Sequence, residues 1–399
     1  MKILYIHQYF NTPSEAGGTR SYWMAQKLLE KGHTVTIITS SSQINKKIDI
    51  KNINGINVIY LRVPYSQKMN FIRRLQSFFN FMIKSTFYAF KLKNIDLIIA
   101  TSTPLTVGFP ALVLNKLKKI PFVFEVRDLW PEVPIQMGGL KSKFLQKLAI
   151  LFEKKIYKNS EHIIALSPGM KKGILKYELN EKVSVIPNMS KNSEFWPRKK
   201  NIQLTEELGL KENSFKVIHF GALGIANGVQ TIIESAKLLK DNNNIEFVFI
   251  GGGATEDKII KLCKHYRLEN VNFLGRFPMI KTSEIVNLCD ISVVSFLDLP
   301  ILYTNSPNKL FDSLSAGKPI IVNSAGWTKE LIEKHNCGFY VNPNNPLELV
   351  NKINYLIEDK EKFNEMSFNS RKLAKKYDKS ILSEKFANII EQITVNLKN

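Results

Sequence analysis

The sequence predicts an α/β protein made of two doubly wound, Rossmann-like domains facing a central cleft. Three observations carry this. Short apolar runs alternate with amphipathic helical segments along the whole chain. Glycines follow the first strand-like run of each half, Gly17-Gly18 after Lys2 to Tyr9 and Gly221 to Gly228 after Val217 to Phe220. The pattern also restarts at Lys216, after a polar stretch carrying Arg198, Lys199 and Lys200. The expected boundaries are 1–190 for the first domain, 191–213 for a linker and 214–379 for the second domain, with 380–399 a helix packing back on the first. A chain of 399 residues has room for two or three domains.

In order, Lys2 to Tyr9 reads as a buried strand, Asn11 to Arg20 as a turn-rich loop and Ser21 to Lys31 as a helix stopped by Gly32. Thr34 to Ser40 and Ile56 to Val63 continue the sheet. From Arg62 to Ile95 there is no acidic residue. Basic residues (Lys68, Arg73, Arg74, Lys84, Lys91, Lys93) interleave there with Phe71, Phe78, Phe79, Phe81, Phe87 and Phe90. Such a helix suits an anionic membrane surface, with some aromatics turned inward; the plain alternative is a core helix with a basic solvent face. Lys141 to Lys158 is a second basic, apolar helix of this kind. The charge-free run Leu97 to Asn115 contains Pro104, Gly108 and Pro110, so strand, loop and helix are expected rather than a membrane span.

Phe122 to Val126, His162 to Leu166 and Val183 to Ile186 are further strands. Past the first of these comes Arg127-Asp128-Leu129-Trp130-Pro131-Glu132, where open α/β sheets bind ligands. In the second half, Glu246 to Ile250, Val271 to Gly275 and Ile291 to Phe296 are strands, with Gly251 to Gly253 after the first.

The stretch Ser306 to Pro319 reads as a loop entering a helix, with Ser306 as N-cap and Pro307 at the first helical position. A helix N-terminus favours an anion, and Lys309 adds a full charge in the first turn. Asp312, one turn on, is a candidate acceptor for sugar hydroxyls. The plain alternative is a capped surface helix.

Net charge is +21 and pI about 9.6, which calls for an anionic partner. Nucleic acid is not favoured, because the basic residues cluster with long apolar aromatics and no RNA-binding motif is present. Three separated cysteines fit no metal site and no disulfide framework, and suit a reducing cytosol. Met1 to His7 turns polar too soon for a signal peptide. The full Gly-x-Gly-x-x-Gly fingerprint is missing at Gly17-Gly18, which argues against an oxidoreductase.

Taken together, the order and spacing of His7-Gln8-Tyr9-Phe10, Gly17-Gly18-Thr19-Arg20, Glu125 to Glu132, Ser167-Pro168-Gly169, Pro187-Asn188, Phe220-Gly221, Gly251-Gly252-Gly253, Leu274-Gly275 and Ser306 to Pro319 resemble the retaining glycosyltransferases of family 4, which have the GT-B fold. The Arg-Asp-Leu-Trp-Pro-Glu and Ser-Pro-Asn-Lys-x-Phe-Asp forms are similar to the branch linked to fucosamine-type transfer in bacterial surface polysaccharides such as O-antigen or capsule. The resemblance implies a nucleotide-diphosphate sugar donor, UDP-linked, carrying an N-acetyl amino-deoxyhexose such as N-acetyl-L-fucosamine. The base would lie near Leu274, Gly275 and Arg276, and the ribose at Asp312. The diphosphate would meet Gly18, Asn308 and Lys309, and Gly17, Arg20, Gly221, Asn227, Gly251 and Ser306 would complete the donor site. Catalysis would fall to Arg127, Asp128, Lys309 and Asp312. A polyprenyl-diphosphate-linked acceptor would meet Phe71, Arg73, Arg74, Phe78, Lys84 and Trp130 at the cytoplasmic face of the inner membrane, where the protein would bind peripherally.

Three departures from the family pattern stand out. Thr304 stands where the family has the first Glu of its Glu-x7-Glu motif; the Arg and Lys expected after the first strand of the second domain are replaced around Ala222 and Asn227; and Arg127-Asp128 replaces a His. Lys309 and Arg20 are the expected substitutes for the lost diphosphate charge. No Asp-x-Asp occurs, so no metal or other cofactor is expected. A nucleotide-sugar epimerase using His219, and a non-catalytic nucleotide-sugar or membrane-binding module, are the alternatives.

Overall fold

The computed structural model describes residues 1–66 and 69–398, with the side chains of Phe71 and of 396–398 outside the description. Lys68 and the Phe71 side chain, both assigned above to the basic aromatic helix, therefore lie outside the described residues. The chain divides into two compact units. One is Met1–Thr12, Gly18–Pro187 and Ser380–Asn399; the other is Pro13–Gly17 and Asn188–Lys379.

The first unit runs β1 (Lys2–Ile6), α1 (Arg20–Glu30), β2 (Thr34–Ser41), β3 (Ile48–Ile53), β4 (Ile56–Arg62), α2 (Phe71–Lys91), β5 (Leu97–Thr101), α3 (Gly108–Lys118), β6 (Phe122–Val126), α4 (Glu132–Gln136), α5 (Lys143–Asn159), β7 (His162–Ala165), α6 (Pro168–Ile174) and β8 (Val183–Val185). The strands form one sheet in the order β3-β4-β2-β1-β5-β6-β7-β8, parallel except for β3 with β4. Strands β5 and β6 are wholly buried apolar runs, as a parallel sheet covered on both faces requires. The antiparallel β3 was not anticipated, although Asn54-Gly55 carries its signal. Both residues take positive φ, +50° and +88°, the geometry of a two-residue hairpin.

The second unit runs α7 (Ile202–Glu207), β9 (Phe215–Ala222), α8 (Gln230–Leu238), β10 (Ile245–Gly252), α9 (Glu256–Tyr266), β11 (Val271–Gly275), α10 (Met279–Leu288), β12 (Ile291–Val294), α11 (Asn308–Ser315), β13 (Ile320–Val322), α12 (Trp327–Lys334), β14 (Gly338–Tyr340), α13 (Pro346–Glu358) and α14 (Lys360–Lys376). Its parallel sheet is ordered β11-β10-β9-β12-β13-β14. The stretch 191–213 is not a linker. Phe195, Leu204 and Leu210 are buried in one apolar cluster with Ile218, Val248 and Ile285, so it forms part of this unit's core. The final helix α15 (Lys379–Lys398) belongs from Ser380 onward to the first unit, where Phe386 and Ile390 are fully buried and Glu391 meets Lys31 and His33. Among the described residues no helix is long and apolar enough to cross a membrane.

The core of the first unit contains one fully buried ion pair. Arg20 Nε lies 2.8 Å from Glu125 Oε1, both side chains wholly buried. The remaining guanidinium nitrogens donate to the carbonyls of Ile186 and Pro187, beyond β8. Thr101 and Tyr5 donate to the other oxygen of Glu125. Arg20 thus ties the start of α1 to β6 and to the chain leaving β8. It has no free donor facing solvent, which corrects its assignment to the diphosphate. Burial, the largest single influence, would raise the Glu125 pKa, but the charges of Arg20 and Arg127 and the hydrogen bonds from Arg20 and Thr101 together outweigh it and hold the carboxyl below its usual value. A carboxyl with a lowered folded pKa adds stability that is present above the usual carboxylate range and lost as pH falls through the folded value. Arg20→Met should therefore lower unfolding free energy at pH 7 by about 3–5 kcal/mol. In urea titrations the gap to the parent should narrow toward pH 4, as the stranded Glu125 takes up a proton; a pH-independent gap would contradict this account.

Candidate functional site

Strand order reverses once in each sheet, between β1 and β5 in the first unit and between β9 and β12 in the second. Neighbouring connections leave on opposite faces at such a point and open a crevice at the carboxyl ends. Most of the side chains singled out from the sequence lie at these edges.

In the second unit, β9 and β10 end at paired glycines, Gly221 beside Gly251, with φ of +111° and +131°. A Cβ on Gly251 would sit 1.7 Å from the Gly221 carbonyl oxygen, so no larger residue fits there. The loop after β9 is pinned to the end of β12: Ser295 donates to the Asn227 carbonyl at 2.7 Å and the Leu297 amide to the Ala226 carbonyl at 2.9 Å. Helix α11 is buried along Lys309 to Ser315, so it is not the amphipathic surface helix of the plain reading. Pro307, not Ser306, is its N-cap, and no side chain caps it. The Ser306 hydroxyl instead accepts from the Asn188 amide at 3.0 Å, and its carbonyl accepts from the Asn188 side chain. That corrects both its capping and its donor assignments.

Lys309 leaves the first turn of α11 and passes beneath Gly221, where a Cβ would lie 3.3 Å from its Cε. Its Nζ is 3.2 Å from Asn227 Oδ1 and 3.1 Å from His219 Nε2. His219 is buried, and its Nδ1 is 3.1 Å from the Val293 carbonyl. With Nδ1–H donating there, Nε2 is left to accept from the ammonium. Burial, then the Lys309 charge, lowers the His219 pKa well below its usual value, so the imidazole stays neutral. Among the described residues no carboxylate pairs with Lys309, and burial pushes its pKa down to about 7. A buried cation without a counter-charge under an open glycine edge is suited to an incoming anion. Gly221, Gly251, Asn227 and Lys309 therefore come together as the sequence grouped them. His219 joins them, and its signal was its position in the middle of a buried strand.

Asp312 does not stand open beside them. It is buried and ion-paired with Lys191, and burial raises its pKa. Lys191 is thereby held against the helix, and Asp312 is withdrawn from the ribose. Asn308 is half-exposed at the helix start. Leu274 and Gly275 end β11, with Gly275 at φ +82°, and Arg276 follows. Arg276 is exposed and lies over Gly252, where a Cβ would be 2.8 Å from its Nε. The Thr304 hydroxyl donates to the Ile301 carbonyl at 2.7 Å within its own turn.

Gly17 and Gly18 lie in the loop after β1, Gly17 at φ +139° and grouped with the second unit, Gly18 with the first. His7, just past β1, is buried between the Ser21 hydroxyl at 2.9 Å and Arg127 Nη1 at 3.1 Å. Burial, then the charge of Arg127, lowers its pKa far below the usual value. With Arg127 donating to Nε2, the neutral ring carries its proton on Nδ1. Asp128 turns instead to Thr103, whose hydroxyl donates to Oδ2 at 2.8 Å; burial raises its pKa. Arg127 and Asp128 thus have separate hydrogen-bond partners, and His7 is the group sequence reasoning missed.

On α2, Phe78 is buried and meets Trp130 edge-on at 6.0 Å, while Lys84 donates to the Arg62 carbonyl at 2.7 Å. Arg73 is exposed. Ile72, Phe79, Ile83, Phe87 and Phe90 form an exposed stripe along α2. Phe144, Leu145, Leu148 and Leu151 are exposed on α5.

Residues 17–189 match the family described as Glycosyltransferase Family 4, and residues 200–373 the family described as Glycosyl transferases group 1. The N,N'-diacetylbacillosaminyl-diphospho-undecaprenol alpha-1,3-N-acetylgalactosaminyltransferase of Campylobacter jejuni is 24% identical over 323 residues, covering 79% of this chain and 83% of its own. Among solved structures, the fold is shared with a sucrose-phosphate synthase from Thermosynechococcus elongatus, at TM-score 0.79 and 17% identity over 99% of both chains. It is shared too with Anabaena HepE in complex with UDP-glucose, at TM-score 0.72 and 19% identity over 98% of this chain and 100% of that one.

Binding of a nucleoside-diphosphate sugar should be linked to the Lys309 proton. Above pH of about 7 the free side chain loses its charge. Affinity should then fall as pH rises, by up to about tenfold per unit. Calorimetry across pH 6 to 9 reads this slope. Lys309→Met should remove the slope and weaken binding roughly ten- to hundredfold. An unchanged slope in that variant would place the titrating group elsewhere.

Proposed function

This chain is a glycosyltransferase of the GT-B fold, and we propose that it transfers a sugar with retention from a UDP-linked donor to a polyprenyl-diphosphate-linked saccharide in bacterial surface polysaccharide synthesis. The observation that carries the donor half is Lys309, a buried ammonium with no paired carboxylate at the carboxyl edge of a doubly wound sheet. The diphosphate sits against Lys309 and the free amides at the start of α11, with Gly221 and Gly251 letting it approach the backbone. The base lies toward Leu274, Gly275 and Arg276, and the sugar is an N-acetyl amino-deoxyhexose such as N-acetyl-L-fucosamine.

The reaction is a front-face displacement. The bond from the anomeric carbon to the diphosphate oxygen breaks, and the acceptor oxygen bonds to the same face. The acceptor proton passes to the departing diphosphate. Lys309 stabilises the charge growing on the leaving group, a role taken by a divalent metal in other transferases. Among the described residues no group of three or more His, Cys, Asp or Glu side chains is placed to hold a metal. His219 is engaged on both ring nitrogens, which speaks against an epimerase using it as acid or base. His7 and Arg127 meet at the β1/β5 crevice of the first unit.

The acceptor reading is supported by the Campylobacter relative, whose name states a diphospho-undecaprenol-linked acceptor. It is supported also by the exposed apolar stripes of α2 and α5 with their lysines, suited to an anionic cytoplasmic membrane surface.

UDP should be released only when donor and lipid-linked acceptor are both present, EDTA should leave the rate unchanged, and the product's anomeric proton should keep the donor's configuration by NMR. Acceptor-independent turnover or an inverted product would refute the reading. Ile83→Glu with Phe87→Glu should abolish sedimentation with anionic liposomes while sparing activity on a detergent-dispersed acceptor. Undiminished liposome binding would remove the membrane surface from α2.

A further inference from the structure

The first unit buries a set of polar groups that it does not pair. Gln8 is fully buried, and neither its Nε2 nor its Oε1 has a hydrogen-bond partner. Arg74 Nε and Ser77 Oγ are likewise buried without partners. Each such group costs about 1–3 kcal/mol when left unsatisfied, so a cluster of them suggests a ligand.

The groups belong to one neighbourhood. Gln8 lies two residues beyond β1, at the β1/β5 reversal. Next to it, Tyr9 packs on Tyr65 with ring centroids 4.5 Å apart, and its hydroxyl feels the charge of Arg74. Tyr65 stacks on Phe78 at 6.3 Å, and Phe78 meets Trp130 at 6.0 Å. Arg74, Ser77, Phe78 and Phe81 follow helical spacing along α2, and Ser77, Phe78 and Phe81 are buried. The helix therefore has two unlike sides. One carries the exposed apolar stripe, and the other turns a polar first part and an aromatic row toward Tyr65 and Trp130.

We propose, resting on the glycosyltransferase reading above, that Gln8, Arg74 and Ser77, walled by Phe78 and Trp130, form the subsite for the acceptor's sugar and adjoining phosphate. The Gln8 amide offers a donor and an acceptor side by side, which suits neighbouring sugar hydroxyls. Arg74 meets the phosphate, for which a planar guanidinium is well shaped. The aromatic edge of Trp130 packs on the sugar ring, and Ser77 serves a further hydroxyl.

The test uses the full chain, with farnesyl-diphosphate-linked N-acetylglucosamine as probe and UDP as an independent reporter of the second unit. Gln8→Leu removes both unpaired atoms at nearly constant volume. It should hold or raise Tm, raise the acceptor KM about tenfold or more, and leave UDP affinity unchanged. Arg74→Met should weaken competition by inorganic pyrophosphate, and Gln8→Leu should not. A lower Tm in Gln8→Leu with an unaltered acceptor KM would make Gln8 structural and overturn the proposal. Competition by anionic vesicles equal to that by the probe would overturn it too, by assigning Arg74 to lipid headgroups. UDP binding without probe binding would sink this subsite alone. Binding of neither would sink the donor reading as well.

Discussion

Parallel strands covered on both faces impose one constraint on this protein, and much else follows from it. Such a sheet has no solvated face on which to carry polar chemistry, so chemistry is confined to the carboxyl edge where the order reverses. Both sheets obey. In the first unit His7, Thr103, Arg127 and Asp128 follow the ends of β1, β5 and β6. In the second, Gly221, Asn227, His219 and Lys309 meet between β9 and β12.

Two buried cations show how differently the same kind of charge is used. Arg20 is matched by a wholly buried carboxylate and two carbonyls, so its charge is balanced inside the protein and serves to hold α1, β6 and the exit of β8 together. Among the described residues Lys309 has a neutral imidazole, an amide oxygen and the face of Phe296 for company, and no carboxylate. Its desolvation is not offset by an opposite charge, and its pKa falls to about 7. The first arrangement stabilises a fold. The second leaves a buried cation unbalanced, a strain that a bound anion would relieve. Asp312 belongs with the first kind, since its pairing with Lys191 anchors α11 rather than offering an oxygen to a ligand.

Helix α2 extends the same reasoning to the surface. Its aromatic residues are too many for one face, and the structure sorts them by side. Phe78 and Phe81 go inward, and Phe79, Phe87 and Phe90 go outward. The sorting gives α2 two unlike sides that composition alone merges.

The sequence by itself determined the repeat of strand, glycine turn and helix, and therefore the two doubly wound sheets, because period and glycine placement are local properties of the chain. It also marked Gly221, Asn227 and Lys309 as one group by their places against a family pattern, from which Asn227 departs. Hairpin β3–β4 was written in Asn54-Gly55 and went unread only because the strand itself is half polar. Tertiary structure alone decided which charges find partners. Nothing local to Arg20 announces Glu125, 105 residues away, or to Asp312 announces Lys191, 121 residues away. Likewise nothing local to Gln8 reveals that its buried amide has no partner at all. Pairing of charges is a contact between distant segments, and whether a cation is structural or available to a ligand depends on that contact and on burial, neither of which a sequence window contains.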